Sequence, residues 1–169
     1  MIRPLLEKDA ERMSICLNDD SVTFFMPIRN RKITKDSCID FIRSSEDDKT
    51  NKNFAIVDEG DNWIGTISLK NIDYNNKEAE YAIITSNEAH GKGYAQIATR
   101  EILSYAFKTI GLNKVYLYVA VINERANKFY KKFGFRFDRV DKELIEINGR
   151  KEDINWYYLL KEDEDKYVC

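Results

Sequence analysis

Between Phe54 and Thr85 three apolar segments follow one another, joined by links too short to cross a sheet. They run from Phe54 to Val57, Trp63 to Leu69 and Ala79 to Thr85, joined by Asp58-Glu59-Gly60-Asp61-Asn62 and by Asp73 to Lys77. A parallel crossover needs a dozen or more residues, so these strands are antiparallel neighbours. A long helical pattern follows, reaching about Ile110. Ala95, Ala98, Ile102, Ala106 and Ile110 lie along one side, Leu103 and Phe107 sit beside them, and Gly111 ends it. Val115 to Val121 is apolar on both alternating faces and reads as a central strand.

The flanking segments complete the order. Residues 1–5 form a short edge strand, with Pro4 tolerated only at an edge. Asp9 and Thr34 are predicted caps of two helices, the first carrying Ala10, Met13 and Leu17 and the second Cys38, Phe41 and Ile42. Residues 20–33 read as a loop or short helical connector, and 44–52 as a polar loop. Asn123 caps a short helix with Ala126, Phe129, Tyr130 and Phe133 on one side, stopped by Gly134. Phe135 to Phe137 and Ile154 to Leu160 are further strands, with a turn at Asn148-Gly149. The expected class is a mixed α+β (α/β) sandwich, one domain over residues 1–160, followed by a charged, frayed tail over 161–169.

Composition narrows the chemistry. The 169 residues carry a net charge of −2 without an excess of Lys and Arg, which argues against a general nucleic-acid footprint. Cys16, Cys38 and Cys169 share no metal-ligand spacing and fit a reducing compartment. His90 is the only histidine, which excludes multi-histidine metal sites. With no signal-like N-terminus and no long apolar run, the expectation is a cytoplasmic protein with neither metal nor membrane partner.

The segment His90-Gly91-Lys92-Gly93-Tyr94-Ala95 lies between a strand and the long helix. Two glycines permit a tight turn, and the free N–H groups opening a helix, with its dipole, form a cradle for phosphate. A Walker loop is absent, because no Gly-Lys-Ser/Thr follows the required spacer. A dinucleotide fingerprint fails because Gln96 stands where a third small residue belongs and an antiparallel meander precedes. The glycines alone are equally compatible with a turn that binds nothing.

Read together, Glu80-Tyr81-Ala82-Ile83-Ile84, the glycine segment, and Asn123-Glu124-Arg125-Ala126-Asn127-Lys128-Phe129-Tyr130-Lys131-Lys132-Phe133-Gly134-Phe135 resemble the GNAT superfamily of acetyltransferases. Ile2-Arg3-Pro4-Leu5 with Asp9-Ala10 is similar to its ribosomal-protein-alanine and polyamine branch. The resemblance covers nearly the whole chain and implies a mostly antiparallel sheet splayed at its fourth and fifth strands. Against the family loop Gln/Arg-x-x-Gly-x-Gly/Ala, His90 replaces the first residue while Gly93 and Ala95 match. Against the family's Asn-x-x-Ser, Asn123 matches and Ala126 replaces the serine.

The resemblance also implies roles. Acetyl-coenzyme A is the cosubstrate, held at His90, Gly91, Lys92, Gly93, Tyr94, Ala95, Gln96 and Asn123, with its pantetheine arm paired to the strand at Ile83 and Ile84. Lys92 by itself reads as a solvated loop charge, and Asn123 as a cap. Tyr130 is the implied general acid toward the leaving thiolate, although its place on an apolar stripe also suits plain packing. Glu80 is the implied base toward the amine, with a solvated strand carboxylate as the alternative. Phe24, Phe25 and Met26 are candidate acceptor-binding residues or simply core, Arg29 is a candidate acceptor contact or part of a solvated basic turn, and the 138–153 connection flanks the same cleft. Cys16 and Cys38 read as core thiols. The activity implied is direct acetyl transfer to a small-molecule or peptide amine, with a non-catalytic acyl-coenzyme A sensor module as the alternative and a homodimer compatible with an exposed edge strand.

Overall fold

The computed structural model describes residues 1–26 and 31–166, with side chains as far as Asp163. The chain runs β1 (Ile2–Pro4), α1 (Ala10–Leu17), α2 (Asp20–Thr23), α3 (Lys35–Glu46), β2 (Lys52–Val57), β3 (Trp63–Asp73), β4 (Glu78–Thr85), α4 (Tyr94–Ser104), β5 (Lys114–Ala120), α5 (Glu124–Phe133), β6 (Arg136–Ile147) and β7 (Arg150–Leu160). The seven strands form one sheet in the order β1-β2-β3-β4-β5-β7-β6. Every pairing is antiparallel except that of β4 with β5.

Two helical layers cover unequal parts of the sheet. On one face α4 and α5 share a core with β3, β4, β5 and β7, including Ile102, Phe107, Tyr130, Ile67, Tyr81, Leu117 and Leu159. Burial of each large apolar side chain here contributes about 1.5–3 kcal/mol relative to exposure. On the other face α1 and α3 pack Met13, Cys16, Cys38 and Ile42 onto Ala55, Val57 and Trp63, over β2 and β3. β3 is therefore buried on both sides along most of its length. β5 lies between β4 and β7, as expected of a central strand, but only one of its faces is closed. Val115 and Leu117 are buried, whereas Tyr116 is half-buried and Tyr118 is 43 % exposed.

Several local expectations are revised. Asp9 does not cap α1 with its side chain; it accepts from the Leu6 N–H at 2.9 Å and pairs with Arg3. Thr34 does cap α3, accepting from the Ser37 N–H at 3.1 Å. The helical run of α4 stops being α at Ser104 and continues as a π-helix over Tyr105–Ile110 before Gly111 (φ 82°) closes it. Residues 138–153 are not a loop: β6 and β7 extend into a long hairpin turned at Asn148 and Gly149, both with positive φ, the mark of a tight hairpin turn. The run Lys161–Lys166 is a 3₁₀ helix rather than a frayed tail. It is held because Asp163 is buried, receives the Leu160 N–H at 3.2 Å and pairs with Arg136.

Candidate active site

The site begins where pairing stops. β4 and β5 are in parallel register only at Glu78↔Lys114, Ala79↔Val115 and Glu80↔Tyr116. Past that point β4 stays paired to β3 and β5 to β7, so the two strands diverge with a wedge of unshared backbone between them. The direction of each β4 amide follows from its ladder. The Ser86 N–H donates to Ile64 O at 2.8 Å, and hydrogen-bonded pairs alternate in an antiparallel ladder. The Ile84 N–H therefore turns toward β3, while those of Ile83 and Thr85 turn into the wedge. Of the two isoleucines singled out from sequence, only Ile83 offers a backbone donor there.

At the wide end of the wedge, β4 passes through a short 3₁₀ turn, Asn87–Ala89, into the glycine segment and α4. Gly91 and Gly93 take φ of 75° and 82°, a left-handed backbone that costs other residues roughly 1–2 kcal/mol. A Cβ at either position would meet nothing within 4 Å, so the concave side of the loop is open. Among the described residues the N–H groups of Gly91, Gly93, Tyr94 and Ala95 have no acceptor, as befits the first turn of a helix. The Gln96 N–H does not join them: it bonds Gly93 O at 3.0 Å. Four unpartnered donors at the positive end of α4 suit a pyrophosphate.

Side chains brace this loop. The Tyr94 hydroxyl donates to Glu59 at 2.6 Å, which ties the start of α4 to the link between β2 and β3. Arg125, in the first turn of α5, lies 3.0 Å from His90 Nδ1. A guanidinium has no acceptor, so Nδ1 must accept and the ring proton sits on Nε2. Burial, with help from the Arg125 charge, lowers the His90 pKa and keeps the ring neutral. Lys92 is exposed.

Tyr130 lies beneath the wedge on the α4/α5 face, 8 % exposed. It stands edge-on to Tyr81, with centroids 6.0 Å apart at 90°, and against Phe135 at 5.6 Å and Phe129 at 5.4 Å. Burial alone raises its pKa, so the phenol is protonated at neutral pH. Tyr81 is in turn fixed by a hydroxyl relay: it donates to Thr99 Oγ1 at 2.8 Å, and Thr99 donates to Ala95 O at 2.6 Å. The helix that carries Tyr130 is locked by Asn127. Its Nδ2 donates to Ala120 O and Asn123 O, both at 2.9 Å, and its Oδ1 accepts from Tyr157 Oη at 2.9 Å and Asn155 Nδ2 at 2.7 Å. Asn123 Oδ1 caps the same helix on the Ala126 N–H at 3.2 Å.

Glu80 lies at the apex of the wedge on the opposite face. It is half-buried and accepts from Asn71 Nδ2 at 3.1 Å. Glu80 pairs in register with Tyr116, and Tyr118, two residues on, shares that face; burial, and after it the Glu80 charge, raises the pKa of both tyrosines.

Residues 1–136 match the family model of the acetyltransferase (GNAT) domain. The chain belongs to the GNAT acetyltransferase family. It is 36 % identical over 121 residues to the spermidine N(1)-acetyltransferase of Vibrio cholerae, a match covering 72 % of this chain and 68 % of that protein. It is 34 % identical over 99 residues to a putative ribosomal N-acetyltransferase, YdaF, of Bacillus subtilis, covering 59 % and 54 %. The solved structure of the Vibrio cholerae spermidine N-acetyltransferase in complex with CoA and spermine superposes with a TM-score of 0.87 at 28 % identity, covering 100 % of this chain and 98 % of that one.

Within this GNAT fold the residues marked from sequence divide into groups. His90, Gly91, Lys92, Gly93, Tyr94 and Ala95 cluster at the wide end of the wedge, with Ile83 along one wall and Tyr130 and Glu80 on opposite faces. Gln96 and Ile84 spend their amides elsewhere. Phe24 and Phe25 stack edge to face at 4.8 Å just after α2, whose start is joined to the 3₁₀ turn before the loop through Asn87 Nδ2 and Asp19 Oδ2 at 3.1 Å. Met26 follows them, half-buried; Arg29 lies outside the described residues. Glu78 pairs with Lys114 and Glu88 with Arg12. Cys16 and Cys38 are buried, and burial pushes the Cys16 thiol up to about 11. Asn127, Thr99 and Arg125 escaped notice. For Asn127 the signal was present: a polar residue one helical turn after Asn123, facing the core.

Proposed function

We propose that this GNAT acetyltransferase moves the acetyl group of acetyl-coenzyme A directly to a primary amine of a polyamine-type acceptor, both substrates being bound at once. The observation that carries this is the wedge with a protonated phenol on one face and a carboxylate on the other. The likeness to spermidine acetyltransferases supports the acceptor class.

The pyrophosphate rests on the amides of Gly91, Gly93, Tyr94 and Ala95, and the pantetheine arm lies along β4, giving the backbone of Ile83 and Thr85 its missing partner. The amine arrives from the open face as an ammonium and yields a proton to Glu80. Its lone pair attacks the thioester carbon, and the developing oxyanion meets a wedge-facing amide, a dipole already in place. Collapse breaks the C–S bond, Tyr130 protonates the departing thiolate, and the nitrogen, still carrying its second proton, passes it to the Tyr130 phenolate. Solvent then takes the proton from Glu80, the one proton released overall, leaving an acetamide and free coenzyme A. Orientation of two bound substrates supplies much of the rate.

The test is thiol release from acetyl-coenzyme A across spermidine, spermine, amino sugars and short peptides, with the acetylated product weighed by mass spectrometry. Release matched one to one by acetylated polyamine is expected. Tight coenzyme binding without release toward any amine supports a sensor module instead.

A further inference from the structure

The open face of β5 carries a row of aromatic rings. Tyr116 and Tyr118 project from β5, and Trp156 faces Tyr118 across the β5–β7 ladder. Ring centroids are 6.2 Å apart for Tyr116 and Trp156 and 5.3 Å for Tyr118 and Trp156. The chain already seats its own cations on two of the three. Lys114 Nζ lies 5.6 Å from the Tyr116 centroid, and the Arg139 guanidinium lies 4.6 Å from that of Trp156. Among the described residues no cation lies over Tyr118, which meets Trp156 on the side away from Tyr116 and is 43 % exposed.

The charges repeat this pattern. Lys114 is paired with Glu78 at 3.2 Å, and Arg139 with Asp138 and Asp141 at 2.7 and 3.3 Å. Asp141 also receives the Trp156 indole N–H at 2.7 Å. Glu80 has only the neutral Asn71 amide and no cationic partner among the described residues. One unoccupied ring and one uncompensated carboxylate therefore lie on the same open face beside the apex of the wedge. Across from Tyr118 on β4 the same face carries Ala82, a side chain small enough to leave the ring accessible. Tyr118 lies two residues beyond Tyr116, so about 7 Å separates it from the apex along the strand.

We propose that Tyr118 is the specificity-determining residue for the acceptor, its ring face seating a second, non-reacting ammonium of a di- or polyamine while the reacting amine sits at Glu80. This rests on the transfer reading above. The spacing from apex to ring matches a short alkyl spacer between two amines. A monoamine has no group to place on the ring.

The experiment compares Tyr118→Leu and Tyr118→Phe with wild type, using spermidine and n-butylamine in steady-state thiol release, and measures spermidine binding to the enzyme–coenzyme A complex by calorimetry. Cation–π contacts of this kind correspond to about a 5- to 30-fold change in affinity. Tyr118→Leu is expected to lower kcat/KM for spermidine by that factor through KM, to weaken spermidine binding equally, and to leave n-butylamine unchanged. Tyr118→Phe, which keeps the ring, is expected to match wild type. Equal losses for both amines, or unchanged spermidine binding in Tyr118→Leu, overturn the proposal. So does the absence of spermidine binding to wild type. Spermidine binding that depends on Tyr118 without thiol release sinks the transfer reading but leaves the seat standing.

Discussion

Glu80 and Tyr116 form the last register pair of the parallel ladder between β4 and β5. Beyond them each strand keeps its outer partner and loses its inner one, so β4 carries backbone donors aimed into empty space. Buried amides without partners are costly, and a bound chain with its own amide groups relieves that cost. Hydrogen exchange checks this. Acetyl-coenzyme A is expected to slow exchange at Ile83 and Thr85 and to leave Ile84, already bonded to β3, at its earlier rate. Protection at Ile84 with none at Ile83 contradicts the assignment.

In the proposed transfer, Tyr130 and Glu80 stand on opposite faces of the sheet and act on different protons. Tyr130→Phe removes only a hydroxyl, and is expected to cut the single-turnover rate by roughly 10²-fold or more while melting close to wild type. Glu80→Gln is expected to lose a similar factor near neutral pH. Its deficit shrinks as pH rises toward the acceptor amine's own pKa, near 10 for an alkyl ammonium. A Tyr130→Phe variant of unchanged turnover removes the phenol from the chemistry.

Asn127 joins α5 to the end of β5 and to β7 by side-chain hydrogen bonds on both its amide atoms. Asn127→Leu strands the buried Tyr157 hydroxyl, at about 1–3 kcal/mol for a buried group left unpaired. For a domain of this size that lowers Tm by roughly 2–12 °C. A thermal melt within a degree of wild type contradicts the role of this hub.

His90 titrates below its ordinary value because of burial and Arg125. The unfolded chain therefore binds the proton first. The stability contribution of a neutral His90 is fully present above pH 6.5, and is lost as pH falls through the lower folded value. His90→Gln is expected to flatten this part of the stability–pH curve, read by denaturant melts at pH 7.5, 6.5 and 5.5. A wild-type curve that steepens no more than the variant's contradicts it.

Much of this was legible in the chain because its signals are local. Short links between Phe54 and Thr85 forced the meander, Gly111 and Gly134 stopped their helices, and Thr34 and Asn123 capped theirs. The reach of β6 and β7 was missed because residues 138–147 are mostly polar and lie on an edge, where no alternating burial marks a strand. The open face of β5 was missed for a different reason. Tyr116 and Tyr118 read as apolar, and only the placement of α1 and α3 over β2 and β3 reveals that no helix among the described residues covers them. The buried Asp163 was hidden by its acidic neighbours, since its partner Arg136 is distant in sequence. Which of two adjacent amides, at Ile83 or Ile84, faces the wedge depends on ladder register, which composition does not encode.

The most direct measurement is a crystal structure with acetyl-coenzyme A bound. Pyrophosphate oxygens are expected within about 2.7–3.2 Å of the Gly93, Tyr94 and Ala95 N–H groups, with the pantetheine arm between β4 and β5 and its sulfur facing Tyr130. A coenzyme bound at saturation elsewhere on the molecule, with the loop and wedge unfilled, contradicts it.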